Sequence, residues 1–308
     1  MFWLQEKGAE VAEHAEKAQE HAEHVPIIVK YVNQYFGHWA YDFEMKYTHP
    51  LWTKVLAKFG TTPEAAFGAY TPENAIPWYT VMFVIACILS LVLILLFRRK
   101  LSTEDPSYGQ QTLELGVLAI RDMLSDIVGP HGLKYFPMVM TFAVLILVSN
   151  LMGLFPLFMS PTAATSVTFA LGLSSFLYYN GVGIKENGLF GHLKHFAGPI
   201  WWIAWLIFPI EVISNLIRPF SLGIRLFGNL FADEKVMETI SHLAPPWTYP
   251  APILLMPLSV FVALIQTFVF VLLSQLYLSE VSHAPHDSHA EHSNAEDESE
   301  EFMTAILT

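Results

Sequence analysis

The 308-residue sequence is 53% hydrophobic and only 14% charged, and its mean hydropathy is +0.41. A soluble domain rarely reaches such values, because it must cover its core with charge. The net charge of −12, with no concentrated basic patch, excludes nucleic acid as a partner.

Residues 1–25 are rich in Ala, Glu and His, which are compatible with a polar helix and read as a solvated tail rather than a metal site. The opening Met1-Phe2-Trp3-Leu4 is too short for a signal-peptide core and runs into acidic residues, so no cleaved targeting segment is expected. Residues 26–76 mix Pro with aromatic side chains (Tyr31, Tyr35, Phe36, Trp39, Tyr41, Phe43, Trp52), a composition that suits a membrane-surface segment. Together, 1–76 form an extension ahead of the first apolar run.

Four runs contain no charge: 78–97, 136–159, 161–184 and 249–279. Each is long enough to cross a hydrocarbon core of about 30 Å as a helix. Their length and lack of alternation exclude strands. The lone cysteine, Cys87, lies inside the first run and serves packing. Arg98, Arg99 and Lys100 follow the first run, Arg121 and Lys134 precede the second, and Lys185 and Lys194 follow the third. The short loop near Ser160 has no basic residue. Positive loops stay cytoplasmic, so the amino terminus is expected outside and the carboxyl terminus in the cytoplasm.

Between the first two runs, Leu113, Val117, Ile120, Leu124 and Ile127 recur at steps of four and three, while Glu114, Arg121 and Ser125 mark another face. This predicts an amphipathic helix in the membrane interface, with a short soluble connector as the alternative.

Residues 200–242 begin apolar but carry Glu211, Arg218, Arg225, Asp233, Glu234, Lys235 and Glu238. A helix over this segment would run about 60 Å, twice the membrane, so it must tilt, bend at Pro209 or Pro219, or leave the bilayer. The expected fold is therefore an all-α polytopic membrane protein. It has about five membrane helices, the last two long and tilted, plus one interfacial amphipathic helix. Glu211, Arg218 and Arg225 are seven apart and share one slowly drifting face. Ser221, Gly223 and Gly228 thin the helix around Arg225 and invite close approach by another. An intramembrane Arg costs about 2.5–3.5 kcal/mol on insertion scales. An internal pair with Glu211 or Glu234, snorkelling to an interface, or a carboxylate on another subunit would each offset it.

The string PIEVISNLIRPFSLGIRLFGNLFADE (Pro209 to Glu234) closely resembles the signature of the a subunit of rotary ATP synthases. LIQTFVF (Leu264 to Phe270) resembles that family's Gln-containing helix, and SNLMGLFP (Ser149 to Pro156) is also similar; the likeness runs from about residue 75 to 282. The resemblance implies a bacterial inner-membrane stator that carries protons, or sodium ions, past a ring of c subunits. Its other partners would be the b subunits of the peripheral stalk, the F1 sector indirectly, and the lipid bilayer. It would need no cofactor and catalyse nothing itself. Arg225 would face the ring carboxylates, and Glu234, Asn229, Gln266, Ser221, Glu211 and Arg218 would line the proton path. Some relatives carry a channel His where this sequence has Ser259, which cannot titrate. Glu238 and His242, in step with Glu234, are expected to supply the missing group; an idle, solvated position at the outer surface is the alternative. Lys235 beside them has no account.

The sequence contains no GxxxxGK phosphate loop and no HExxH metal motif. His283, His286, His289 and His292 are three apart in an acidic, Ser-rich stretch that reads as a solvated, disordered cytoplasmic tail (283–308) rather than a metal site. A secondary transporter with an anion site at Arg225 is the rival reading, but no repeat of the charged segment is found.

Overall fold

Every regular element is helical in the computed structural model, which describes residues 26–58, 70–98, 107–155, 158–197, 204–243 and 251–282. Side chains at 189–190, 192–197, 204, 238, 241–243 and 251–254 fall outside that description. So do the expected polar helix at 1–25 and the His-containing tail at 283–308. The helices in order are α1 (Ile27–Tyr47), α2 (His49–Ala57), α3 (Trp78–Phe97), α4 (Tyr108–Val128), α5 (Phe136–Met152), α6 (Thr165–Ala197), α7 (Ala204–Leu243) and α8 (Ala251–Ser282). Among the described residues five spans are long and apolar enough to cross a membrane: Trp78–Phe97, Pro130–Met152, Thr165–Gly188, Trp205–Met237 and Leu255–Ser282. The second is led by a 3-10 turn at Pro130–Tyr135 and ends before the predicted run does, in a turn at Gly153–Phe155.

The described residues divide into two compact units, 1–88 with 149–161 and 89–148 with 162–308. In the first, α1 is tied to the segment that leads into α3. Asn33 Nδ2 donates to the Ile76 carbonyl at 3.0 Å, and the Ile76 N–H donates to Asn33 Oδ1 at 2.9 Å. One turn along, a Cβ on Gly37 would lie 2.1 Å from the Pro72 carbonyl oxygen, so only glycine permits this approach. Tyr41 stacks on Tyr70 with centroids 5.2 Å apart.

In the second unit, α4 starts at a Ser107 cap whose Oγ accepts from the Gln110 N–H at 3.3 Å. It stops at Gly129, whose φ of 95° favours glycine. The amphipathic pattern is observed: Leu124 and Val128 are fully buried, and Ile120 and Ile127 pack beside them, while Arg121 faces out. They join Tyr135, Val139 and Ala143, Tyr179 of α6, and Val271, Leu278 and Val281 of α8 in one core.

Helix α7 is continuous for 40 residues through both Pro209 and Pro219. At about 60 Å it exceeds the bilayer, so with no break at either proline it must tilt or project. Its main neighbour is α6, and the two approach through small residues on both sides. A Cβ on Gly172 would sit 2.6 Å from the Pro219 carbonyl oxygen, and one on Gly223 would sit 3.2 Å from that of Thr168. Of the three small residues expected to admit a neighbour, Gly223 meets α6. Ser221 is exposed, and a Cβ on Gly228 would meet nothing within 4 Å.

Gly172→Ala should cost about 1–3 kcal/mol, because the clashing atom is backbone and cannot swing away. Gly228→Ala should be near neutral in stability. Thermal unfolding in detergent checks this; equal losses in the two variants would mean that the α6–α7 approach is not the constraint described.

Candidate functional site

Leu222, Leu226 and Leu230 recur at steps of four along α7 and are almost wholly buried. Burying that row sets the rotation of the helix. Ser221, Arg225 and Gly228 follow at steps of four and three on a different face, and all three are exposed. Phe220 and Ile224 flank them and are themselves more than half exposed. The result is an open apolar strip with small residues on either side of a single guanidinium. Arg225 makes no hydrogen bond or ion pair among the described residues.

Arg218, two turns earlier on the drifting face, is arranged differently. Its guanidinium forks onto Glu280 of α8, with Nη2 at 2.9 Å from Oε1, and lies 3.5 Å from Glu211 Oε1. The Tyr277 ring lies 5.1 Å from the same guanidinium. The own-chain ion pair weighed from sequence therefore exists, at Arg218 rather than Arg225. A polar cluster adjoins it: Tyr179 donates to Asn215 Oδ1 at 2.6 Å, and Asn215 Nδ2 donates to Asn180 Oδ1 at 3.0 Å. The Tyr179 and Tyr277 rings meet at a tilt, with centroids 5.8 Å apart.

Toward the other end of α7, Asn229 Nδ2 donates to Gln266 Oε1 at 2.7 Å, bringing together the two amides predicted for the site. One turn beyond, Ser259 Oγ donates to Asp233 Oδ1 at 3.0 Å. Ser259 and Gln266 are both buried. Ser259 cannot titrate, but it is bonded to a group that can. Glu234 is half-buried. Glu238 and His242 fall within α7, with side chains outside the described residues.

Two participants were missed in sequence, Glu280 and Asp233. Both follow from one register. Helices α7 and α8 run antiparallel, so Arg218, Asn229 and Asp233 in rising order meet Glu280, Gln266 and Ser259 in falling order. Placing Asn229 against Gln266 and counting outward comes within one turn of both partners. Glu280 was also visible as the first charge after the last apolar run. Among the described residues no group of three His, Cys, Asp or Glu side chains could hold a metal ion.

Residues 79–279 match the family model described as ATP synthase A chain. The chain is 47% identical over 191 residues to ATP synthase subunit a of Trichlorobacter lovleyi, covering 62% of this chain and 81% of that one. It is 42% identical over 191 residues to ATP synthase subunit a of Geobacter sulfurreducens, covering 62% and 82%. Over 213 residues it is 36% identical to ATP synthase subunit a of Sulfurimonas denitrificans, covering 69% and 93%.

Glu280→Gln should destabilise the α7–α8 pairing by about 1–3 kcal/mol, the range for charged hydrogen bonds left without their partner. Denaturant titration of the purified protein measures it. A loss no larger than that of an exposed control such as Glu114→Gln would show that the fork contributes nothing.

Proposed function

The chain belongs to the ATP synthase A chain family, a multi-pass membrane component of ATP synthesis and ion transport, and from that premise we propose that Arg225 is the stator charge of a proton pathway. The observation that carries this reading is a guanidinium, unpaired among the described residues, on an open, small-residue face of a membrane-spanning helix. The hydrocarbon of the bilayer offers such a charge no partner, whereas a carboxylate on a neighbouring c subunit does. Ser221 and Gly228 leave room for that helix to come close.

Arginine suits the task because it stays protonated and cannot itself hand on a proton. A ring carboxylate arriving beside it is held ionised, having released its proton, and takes up another after moving past. The same fixed charge blocks direct leakage between the two access routes. Each elementary charge crossing 100 mV supplies about 2.3 kcal/mol, so several steps must be summed through a rotor to drive synthesis.

The outer route consists of Asp233 with Ser259, then Glu234, Glu238 and His242, and the Asn229–Gln266 pair stands between it and Arg225. The inner route runs by Ser221, Glu211 and Arg218. The subunit itself performs no catalysis; its partners are the c ring, the b subunits of the peripheral stalk and, through them, the F1 sector. The amino-terminal extension 1–76 lies outside a bacterial plasma membrane, 77–282 form the membrane domain, and 283–308 form a cytoplasmic tail. The distribution of Arg and Lys between the spans supports this orientation.

In complexes reconstituted into vesicles, Arg225→Ala should abolish ATP-driven proton pumping while ATP hydrolysis by the peripheral sector persists. Pumping near the unmodified level would overturn the role of Arg225. Asp233→Asn should slow pumping at least about tenfold if it handles protons in step with transport. Full pumping in both Glu238→Gln and His242→Ala would remove those two from the route.

A further inference from the structure

Helix α1 carries two opposed rows. Val29, Asn33 and Gly37 form the buried row that meets the 70–77 segment. Tyr31, Tyr35, Trp39, Phe43 and Tyr47 also recur at steps of four, offset by two residues, which places them on the far side of the helix. These five side chains are 51–77% exposed. They form an aromatic rail in which Trp39 stacks on Phe43 with centroids 5.9 Å apart and Phe43 meets Tyr47 at a tilt with centroids 5.0 Å apart. A third row, Gln34, His38, Asp42 and Lys46, is polar and fully outward. The helix is thus amphipathic twice over: it has a face for its own chain and an aromatic face bordered by polar groups.

The Asn33–Ile76 clamp decides where that aromatic face sits. Ile76 is two residues before Trp78, the first residue of a 20-residue apolar span. The two hydrogen bonds therefore hold α1 at the level where the chain enters the hydrocarbon, and the Gly37–Pro72 approach keeps it there over a further turn. Tyr and Trp rings have an apolar body and a polar edge, the combination that favours the boundary between headgroups and acyl chains. We propose that the Tyr31–Tyr47 rail is a lipid-binding surface, seated in the headgroup–acyl boundary of the bilayer that α3 crosses. Gln34, His38, Asp42 and Lys46 face the water above it. Lipid fits the rail better than a protein does because the rail is long, narrow and continuous with the membrane entry of its own chain. The surface fixes the depth of the first span.

Site-directed spin labelling of the whole complex tests this, in vesicles of phosphatidylcholine and phosphatidylglycerol. In a Cys87→Ala background, Tyr35→Cys, Trp39→Cys and His38→Cys are labelled one at a time. Their accessibility to oxygen and to a water-soluble nickel chelate is then compared. Labels at 35 and 39 should be reached by oxygen and shielded from nickel, with the ratio inverted at 38. Nickel access at 35 and 39 equal to that at 38 would place the rail in water. Exclusion of both reagents at 35 and 39 would mean that a partner subunit covers it. Either result overturns the proposal. Should a label at 39 prevent assembly, Tyr31→Cys and Phe43→Cys on the same row supply the reading.

Discussion

A guanidinium with no partner among the described residues, on a membrane-spanning helix, is the constraint on which the rest of this structure depends. Arg218 and Arg225 are two turns apart on one drifting face, yet among the described residues only Arg218 is compensated by its own chain, through Glu280 and Glu211. Two carboxylates for one arginine satisfy that cation locally and bind α7 to α8. Arg225, with no ion pair among the described residues, has its charge available for interaction outside the chain. The contrast between the two separates a cation that holds helices together from one left facing outward.

Packing sets the direction of that charge. The row Leu222, Leu226 and Leu230 is buried, while Gly172 and Gly223 let α6 and α7 touch backbone to backbone. A helix held this closely on one side cannot rotate to bury Arg225. On another side the antiparallel register with α8 pairs Asn229 with Gln266 and Asp233 with Ser259. Both contacts leave the Ser221–Arg225–Gly228 strip uncovered. The Arg225 charge is therefore positioned by groups that never touch it, and rigid helices rather than loops carry it.

Much of this was legible in the sequence, for identifiable reasons. Charge-free runs of membrane length mark four of the spans, since charge is costly in hydrocarbon. The α4 pattern at Leu113, Val117, Ile120, Leu124 and Ile127 is local, and it appears as read. Arg225 stands out because an intramembrane charge is expensive. What escaped was pairwise. Glu280 as partner of Arg218, and Asp233 as partner of Ser259, depend on the register between two helices, which no property of either helix alone encodes. Which neighbour each glycine admits escaped for the same reason: small residues signal close approach without saying which neighbour approaches. Gly223 meets a helix of its own chain, and Gly228 does not.

The shortest route to a decision is the distance between the Arg225 guanidinium and the nearest carboxylate, measured by electron cryo-microscopy of the intact complex in a lipid bilayer. The account predicts a c-subunit carboxylate as that neighbour, within about 4–6 Å in at least one rotary state, the range over which an opposite charge holds a carboxylate ionised. A guanidinium paired throughout with a carboxylate of its own chain, or turned toward lipid with no ring beside it, would contradict it.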